Sequence, residues 1–201
     1  MRKVVDTAVQ ALHTDCSDLM LLDEDEQTLT LAFSHGREHL IGRLQIANTD
    51  EIFPGYIIRR KTPLSIEDMA GDGRFQVPPA IQDCQVVSAL GVPVLAGGKV
   101  IGVLIVDTQK RRVFTPEDTH FLTLLANQAA LALEKARLFE EARRRAGELQ
   151  AIAEVGGLVT AGGDIQSTLD TLAQKIAQAT GFQAVGISLY DAEQQVLSFP
   201  S

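Results

Sequence analysis

The stretch from Val92 to Val106, VPVLAGGKVIGVLIV, places Gly-Gly-Lys between two valine-rich runs, an arrangement that could hold a phosphate group. A Walker A loop needs a glycine five positions before its Gly-Lys pair and a serine or threonine directly after it. Pro93 and Val100 occupy those positions. Because two adjacent glycines can both take a positive φ, the sequence instead predicts a tight turn between two strands of a hairpin.

The segment His35-Gly36-Arg37-Glu38-His39 matches the H-x-x-E-H spacing of some zinc peptidases. That motif needs a helix, because a helix brings both histidines to one face. Gly36 directly follows a predicted strand, and no third ligand with a clear context stands out. We therefore expect no metal site at this segment.

The two cysteines, Cys16 and Cys84, form neither a disulfide framework nor a zinc cluster. A buried, inert thiol is the default interpretation of Cys84, and Cys16 is expected in the first strand. A reducing cytoplasm is the compartment that fits this cysteine content, and we expect the protein to lie there.

The composition is that of an ordinary globular chain of 201 residues, 45% of them hydrophobic and 22% charged. Its net charge of −8 argues against nucleic acid as the main partner, because phosphate binding needs a basic face. The sequence has no run approaching the roughly 20 apolar residues of a membrane helix. The start of the chain also lacks the apolar core of a signal peptide.

The elements that position these residues follow from periodicity and turn residues. The first residues have apolar side chains at helical spacing and predict a short amphipathic helix. A strand, CSDLMLLD, and a period-two strand, TLTLAFS, then form a hairpin around the charged turn EDEQ. Residues 35–87 are irregular, with one short predicted strand at 63–68.

The clearest predicted helix begins at Thr115, where TPED offers an N-cap, a first-turn proline and an acid three residues after the cap. It could continue for about 30 residues, since the next glycine is Gly147. Its second half is highly charged but keeps a narrow apolar seam, which predicts a parallel coiled coil and hence a homodimer. The alternative is a solvated helix packed on its own domain. The seam residues are Leu131, Leu138, Ala142, Leu149 and Ile152.

The end of the sequence repeats its beginning at a constant offset of 168 residues. Gly156, Gly157, Gly162 and Gly163 predict a linker, after which Asp164 caps a helix that Gly181 ends. A strand, an acidic turn and a second strand follow. The matching positions of the two hairpins are Leu21 and Leu189, Asp23 and Asp191, Gln27 and Gln195, and Leu29 and Leu197.

This repeat suggests a tandem array with a unit of about 165 residues. On this interpretation the chain starts inside one unit and stops inside the next. We expect a first domain at 1–130 that lacks its opening helix, a linker helix at 131–160, and the beginning of a second unit at 161–201. The segment 148–201 would then pack on the first domain, or on a partner's, in place of the missing pieces.

Several motifs, in their order and spacing, resemble those of the GAF family of small-molecule sensor domains. Residues 88–94, SALGVPV, resemble the family's S-x-L-x-V-P strand, and residues 97–104, GGKVIGVL, resemble its partner strand G-x-x-I-G-V-L. Residues 114–118, FTPED, resemble the F-T-x-x-D that opens the C-terminal helix. Residues 61–75 resemble a mid-domain segment, with Lys61-Thr62 where glycine is usual. The resemblance covers residues 4–145.

The resemblance implies an α+β fold, with an antiparallel sheet of about six strands, helices on both faces and a long C-terminal linker helix. It also implies a ligand pocket roofed by the irregular segment, and a regulatory rather than catalytic role. Such domains sit upstream of histidine kinases, cyclases, phosphodiesterases and transcriptional activators. No cofactor is evident, and an unknown small ligand is expected in the pocket. The expected pocket residues are Phe53, Tyr56, Ile57, Asp68, Phe75, Cys84 and Ser88.

Three groups of proteins within the family have more specific chemistry, and this sequence matches the signature residues of each group only weakly. Bilin-binding relatives use a Cys-His pair, but Gln85 follows Cys84. Free methionine sulfoxide reductases of this fold use several cysteines at the pocket, where this chain offers only Cys84. The cyclic-nucleotide signature matches at Phe114 and Asp118, but Thr119 stands where glutamate is expected. A helix cap, or an ion pair between Lys110 and Asp118, is the simpler interpretation of that segment.

Three functional hypotheses follow from the sequence. The first is a non-enzymatic sensory module that binds a small ligand, dimerises and passes a signal along the linker helix. The second is a thiol-dependent methionine sulfoxide reductase on the same fold. The third is a dimerisation element with no ligand.

Overall fold

The computed structural model describes the backbone of residues 1–160, 165–182, 186, 189–191 and 196–198. Side chains are described for residues 1–82 and 84–150 and for part of 169–186. The chain divides into two compact units, Met1–Arg137 and Leu138–Ser201, and each is described by itself.

The first unit is built on a six-stranded sheet in which all paired strands are antiparallel, with the order β3-β2-β1-β6-β5-β4. This confirms the expected α+β, GAF-like sheet. The central pair, β1 and β6, joins strands from opposite ends of the unit's sequence. The strands are β1 (Cys16–Leu22), β2 (Thr28–His35), β3 (Gln45–Ala47), β4 (Leu64–Ile66), β5 (Ser88–Ala96) and β6 (Lys99–Thr108).

Helices cover both faces of this sheet, as expected. Helix α1 (Arg2–Leu12) and the first part of helix α4 (Pro116–Thr160) pack on one face. Helices α2 (Phe53–Arg60) and α3 (Met69–Asp72) pack on the other. The helix predicted at the start of the sequence is therefore confirmed as α1.

Strand alternation sends neighbouring residues into two separate cores. On β6, Leu104 faces the core beneath α1 and α4, whereas Ile105 faces the core beneath α2 and α3. On β1, Leu19 and Met20 divide in the same way. We call these the α1/α4 core and the α2/α3 core.

The Gly97-Gly98 pair forms the two-residue turn between β5 and β6, as predicted from the sequence. Both glycines have a positive φ, 56° at Gly97 and 79° at Gly98, which a side chain would strain. Ala96 and Lys99 are the first paired residues beside the turn. The Gly-Gly-Lys stretch is thus a hairpin turn.

Helix α4 begins with the predicted cap at Thr115. The Asp118 backbone N–H donates to the Thr115 hydroxyl at 3.1 Å, and the Thr115 N–H donates to the Asp118 carboxylate at 2.9 Å, a capping box. Arg112, rather than Lys110, forms the ion pair with Asp118, at 3.2 Å. Helix capping therefore accounts for the Asp118 that the cyclic-nucleotide hypothesis would need.

The other end of α4 lies at Thr160, the last residue of the linker helix expected at 131–160. The break expected at Gly156 and Gly157 does not occur, because the helix continues through both. Glycine lowers helix stability by about 1 kcal/mol relative to alanine, which is a weak preference that flanking helical residues can override. The rest of the predicted linker, at Gly162 and Gly163, and the predicted helix cap at Asp164 lie outside the described residues.

The second unit contains helix α5 (Ile165–Thr180), with the predicted bounds, and Gly181 follows it with a φ of 73°. Strands β7 (Leu189–Asp191) and β8 (Val196–Ser198) pair antiparallel. Leu189 pairs with Ser198 and Tyr190 with Leu197. Their counterparts at the 168-residue offset pair in the same register, Leu21 with Thr30 and Leu22 with Leu29.

In the part of the chain that the structure describes, no helix combines the length and the apolar character that a membrane crossing requires.

Candidate functional site

A small cavity of about 60 Å³ lies in the α2/α3 core. Its walls come from both central strands, from β3, α2 and α3, and from the irregular segment between Gln76 and Val86. They are mostly apolar. The wall side chains include Met20, Leu44, Ile46, Phe53, Met69, Val86 and Ile105.

One end of the cavity is polar and charged, because Asp18, Arg37 and Asp107 border it. Arg37 Nη1 and Nη2 donate to the two carboxylate oxygens of Asp107, each at 2.8 Å. Arg37 Nη1 also donates to Asp18 Oδ2 at 2.5 Å. The Arg37 side chain is 2% exposed. Two carboxylates and one guanidinium therefore form a single buried cluster, which we call the charged cluster.

Local structure after β2 places Arg37 in this cluster. Gly36 has a φ of +97°, and a Cβ there would lie 2.6 Å from Cys16 Sγ, so glycine lets the chain turn closely past β1. The Arg37 N–H then donates to the Ser34 hydroxyl at 3.1 Å. Ser34 in turn donates to Asp18 Oδ1 at 2.6 Å. The turn thus holds the guanidinium beneath the central strands.

Burial sets the electrostatics of the charged cluster. Burial raises the pKa of the Asp18 carboxyl, although the Arg37 guanidinium and the Ser34 hydroxyl act in the opposite direction. Burial lowers the pKa of Arg37, but the hydrogen bonds and charge of Asp107 outweigh it and raise that pKa above its usual value. Arg37 Nε has no hydrogen-bond partner among the described residues.

Cys16 lies beside this cluster at the start of β1. Burial raises the pKa of its thiol to about 12, although Arg37 acts in the opposite direction. Because a thiolate is the reactive form of cysteine, Cys16 is a poor nucleophile at neutral pH. Its position at the start of β1 agrees with the first strand expected there.

Of the seven residues predicted to line a pocket, Phe53 borders the cavity. Ile57 is fully buried in the α2/α3 core. Phe75 packs edge-on against Phe53 and Tyr56, with ring centroids 5.7 Å and 5.5 Å apart. It therefore contacts Phe53, which lines the cavity, without lining the cavity itself.

The remaining three serve local structure. Asp68 caps α3 by accepting the Gly71 N–H at 3.0 Å. Cys84 ends a short 3-10 helix, and its carbonyl accepts from the Gln109 side chain. The Ser88 hydroxyl donates to the Glu67 carbonyl at 2.6 Å and accepts the Arg112 N–H at 2.8 Å. Ligand contact by these residues stays a prediction.

The charged cluster was not predicted from the sequence. Asp18 and Asp107 stand among apolar residues at positions whose alternation matches Met20 and Ile105, so both carboxylates face the α2/α3 core. Two acids at inward positions of predicted strands were a readable signal for a buried cation. Arg37 was considered only as part of the H-x-x-E-H segment.

That segment has no metal-binding geometry. His35 ends strand β2, as expected, and its ring bonds to Asp6 at 2.7 Å. Within the described ranges, no group of three or more histidine, cysteine or acidic side chains is placed to hold a metal ion.

The five predicted seam residues lie along α4. Leu131, Leu138 and Leu149 are 68%, 51% and 67% exposed, and Ala142 is also exposed. Ile152 lies in the helix, where its side chain is outside the described residues. Leu124, which the sequence analysis did not include, is 49% exposed and lies seven residues before Leu131.

Comparison with known proteins agrees with this architecture. The family model described as "GAF domain" matches residues 1–134. The chain is 29% identical over 159 residues to the Nif-specific regulatory protein of Herbaspirillum seropedicae, an alignment that covers 71% of this chain and 29% of that protein. The chain thus spans under a third of that relative.

Two solved structures have the same fold. The GAF domain of an Acinetobacter phosphoenolpyruvate-protein phosphotransferase is 26% identical, with a TM-score of 0.61, covering 70% of this chain and 83% of that one. A type II free methionine-R-sulfoxide reductase from Thermoplasma acidophilum is 19% identical, with a TM-score of 0.55, covering 67% and 90%. With the family match spanning the whole six-stranded sheet and the start of α4, this chain belongs to the GAF domain family.

Proposed function

We propose that this chain is a non-enzymatic sensory and regulatory module of a cytoplasmic signalling protein. It binds a small ligand in the cavity, dimerises through α4 and passes a signal along that helix. The observation that carries the proposal is the short path from Asp107, which borders the cavity at the end of β6, to the capped start of α4 at Pro116. Similarity to a protein named as a regulator supports the same role.

The exposed apolar seam supports dimerisation. Leu124, Leu131 and Leu138 recur every seven residues, and Ala142 and Leu149 continue the same stripe. A seven-residue apolar repeat is the spacing of a left-handed coiled coil. Solvent-exposed leucines at this spacing are covered when a second copy of the helix packs beside them.

Between β6 and α4, Arg112 connects several elements. Its guanidinium donates to the Leu12 carbonyl at the end of α1 and to Asp118 in the first turn of α4, and it stacks on Phe114 at 4.7 Å. Its backbone N–H bonds to Ser88. A shift of β6 at the cavity therefore reaches the base of α4 through a short bonded route.

The repeated hairpin supports a tandem arrangement, with a GAF domain at 1–130, a linker helix at 131–160 and a second GAF-like unit from 161. Identical pairing registers at a 168-residue offset are the expected result of two copies of one supersecondary unit. Helix α5 precedes the second hairpin as α1 precedes the first.

The dimer is tested with single charges in the seam. Leu131→Glu and Leu138→Glu should each convert a dimeric protein into a monomer at micromolar concentrations, because a buried unpaired carboxylate opposes packing. Val113→Glu is the matched control, since Val113 is 65% exposed and lies outside the seam. Sedimentation velocity measures the oligomeric state of the wild type and of the three variants. A monomeric wild type, or dimers that survive both seam variants, would contradict the proposed dimer.

Ligand binding is tested by native mass spectrometry of the purified full chain, in which a co-purified small molecule should be retained. The alternative of a methionine sulfoxide reductase is tested by turnover of free methionine sulfoxide with a thiol reductant. We expect no turnover, because the Cys16 thiol is held protonated and Cys84 has no described contact with the cavity wall. Activity that disappears in Cys84→Ser would overturn the non-enzymatic role.

A further inference from the structure

The charged end of the cavity has one more negative group than positive groups. Asp18 and Asp107 contribute two carboxylates, Arg37 contributes one guanidinium, and Gln76 is the other polar side chain in the described lining. Excess charge that stays ionised in an apolar surrounding is costly unless a counter-charge is supplied. Burial raises the pKa of the Asp18 carboxyl, so a proton on Asp18 can relieve this excess when the cavity holds no ligand. A ligand cation would take the place of that proton and balance both ionised carboxylates.

The hydrogen-bonding capacity of the cluster is also incompletely used. Each carboxylate oxygen of Asp18 and Asp107 accepts one side-chain hydrogen bond in the described structure, although such an oxygen has two lone-pair sites. Arg37, with a side chain 2% exposed, leaves its Nε–H donor without a partner among the described residues. The cluster therefore offers several acceptor positions on its carboxylate oxygens.

The size of the cavity limits the ligand. A volume of about 60 Å³ has room for roughly four water molecules. A ligand of four or five non-hydrogen atoms fits that space. Its apolar part would lie against Met20, Ile46 and Ile105, whose side chains border the same cavity.

We propose that the cavity takes a small aliphatic amine. The ammonium donates to the carboxylates of Asp18 and Asp107, and a short apolar end meets the wall. This rests on the proposed function, namely that the cavity is a ligand site. It adds the chemical class of the ligand.

Three probes of nearly equal size test the class. Alaninol has the ammonium and the hydroxyl, isobutanol has a methyl group in place of the ammonium, and isobutyrate has a negative charge. Titration calorimetry at millimolar concentrations should give alaninol an affinity at least roughly tenfold above that of isobutanol, because charge-assisted hydrogen bonds are about twice as strong as neutral ones. Isobutyrate should not bind.

Asp18→Asn tests the charge directly, because it removes one negative charge while keeping the side-chain shape. Alaninol should then lose its advantage over isobutanol. Asp50→Asn is the control, since Asp50 is an exposed partner of Arg59 outside the cavity and its removal should leave the preference unchanged. The wild-type probe series decides the question even where Asp18→Asn does not fold.

Equal or tighter binding of isobutanol or isobutyrate by the wild type would overturn the proposal, and so would the failure of all three probes to bind. A co-purified molecule that is not an amine would overturn the amine class while the sensory role stands. A protein without any bound molecule, whose unfolding is unaffected by all three probes, would overturn both.

Discussion

The two faces of the sheet differ in what they bury. The α1/α4 core is apolar and filled, with Leu19, Leu104 and Leu122 at 0% exposure. The α2/α3 core is also apolar but contains a cavity, and three ionisable side chains border it. Adjacent residues of the same strands thus face a buried apolar core on one side and a cavity with a charged end on the other.

This difference separates two physical roles. The filled face attaches the sheet to the helix that leaves the domain, and close packing makes that attachment rigid. The face with the cavity keeps polar groups in a poorly solvated place, where an interaction with a ligand is strengthened by the low dielectric. The proposed sensory role needs both properties, because a ligand could change the output helix only through a rigid connection.

The largest expected effect comes from removing the counter-charge of the site. Arg37→Met should lower the free energy of unfolding by about 3–5 kcal/mol, because two carboxylates are left in the interior without their cation. Urea unfolding measures the loss. Arg59→Met is the matched control, since Arg59 is 53% exposed in its ion pair with Asp50 and should cost less than about 1 kcal/mol. Equal losses in the two variants would mean that the charged cluster is not a special feature of this face.

A smaller effect distinguishes the two faces of the sheet, because adding a methyl group should lower the free energy of unfolding on one face and raise it on the other. Val92→Ile adds one methyl group to the filled α1/α4 core and should cost about 1–3 kcal/mol through overpacking. Val86→Ile adds the same group beside the cavity and should stabilise the fold by up to about 0.8 kcal/mol, because the new methyl group occupies empty space. Thermal and urea unfolding measure both variants. A loss of similar size at both positions would indicate that the cavity closes in solution.

The smallest effect concerns Cys16, whose thiol pKa burial raises from 9.0 to about 12. A pKa raised in the folded state contributes stability that is complete below the unfolded value and is lost as the pH rises toward the folded value. The free energy of unfolding should therefore fall between about pH 9 and pH 12, and this part of the fall should be absent in Cys16→Ala.

Maleimide labelling tests the same environment near neutral pH. Cys84→Ser, which retains Cys16 as its one thiol, should react slowly in the native state, while Cys16→Ser should react faster through Cys84. Rapid labelling of Cys16 would contradict the burial that raises its pKa.

The sequence predicted the parts of the fold that depend on local chemistry. The turn at Gly97 and the cap at Thr115 each depend on a few neighbouring residues, and both were confirmed. The alternation predicted for β2 holds from Thr28 to Leu31, but a bulge after Leu31 places Phe33 against the opposite core. The glycines at 156 and 157 were misleading, because glycine is a weak helix breaker and the helix continues through them.

The site was less predictable because its members are distant in the sequence. Arg37 meets Asp18 through the β1–β2 hairpin, 19 positions apart, and meets Asp107, 70 positions apart, only when β6 lies beside β1. Sequence periodicity could place the two acids on the inner face of their strands. It could not indicate which basic residue would reach them.

The 70-residue separation of Arg37 and Asp107 also has a consequence for the order of folding. During synthesis the hairpin of β1 and β2 is complete long before β6 emerges, so the guanidinium and the Asp18 carboxylate must first remain hydrated. Closing the central pair β1–β6 fixes a long loop, which makes it a slow, late step. The cavity is therefore among the last parts of the domain to form, and a nascent chain cannot complete the charged cluster before residue 107 has left the ribosome.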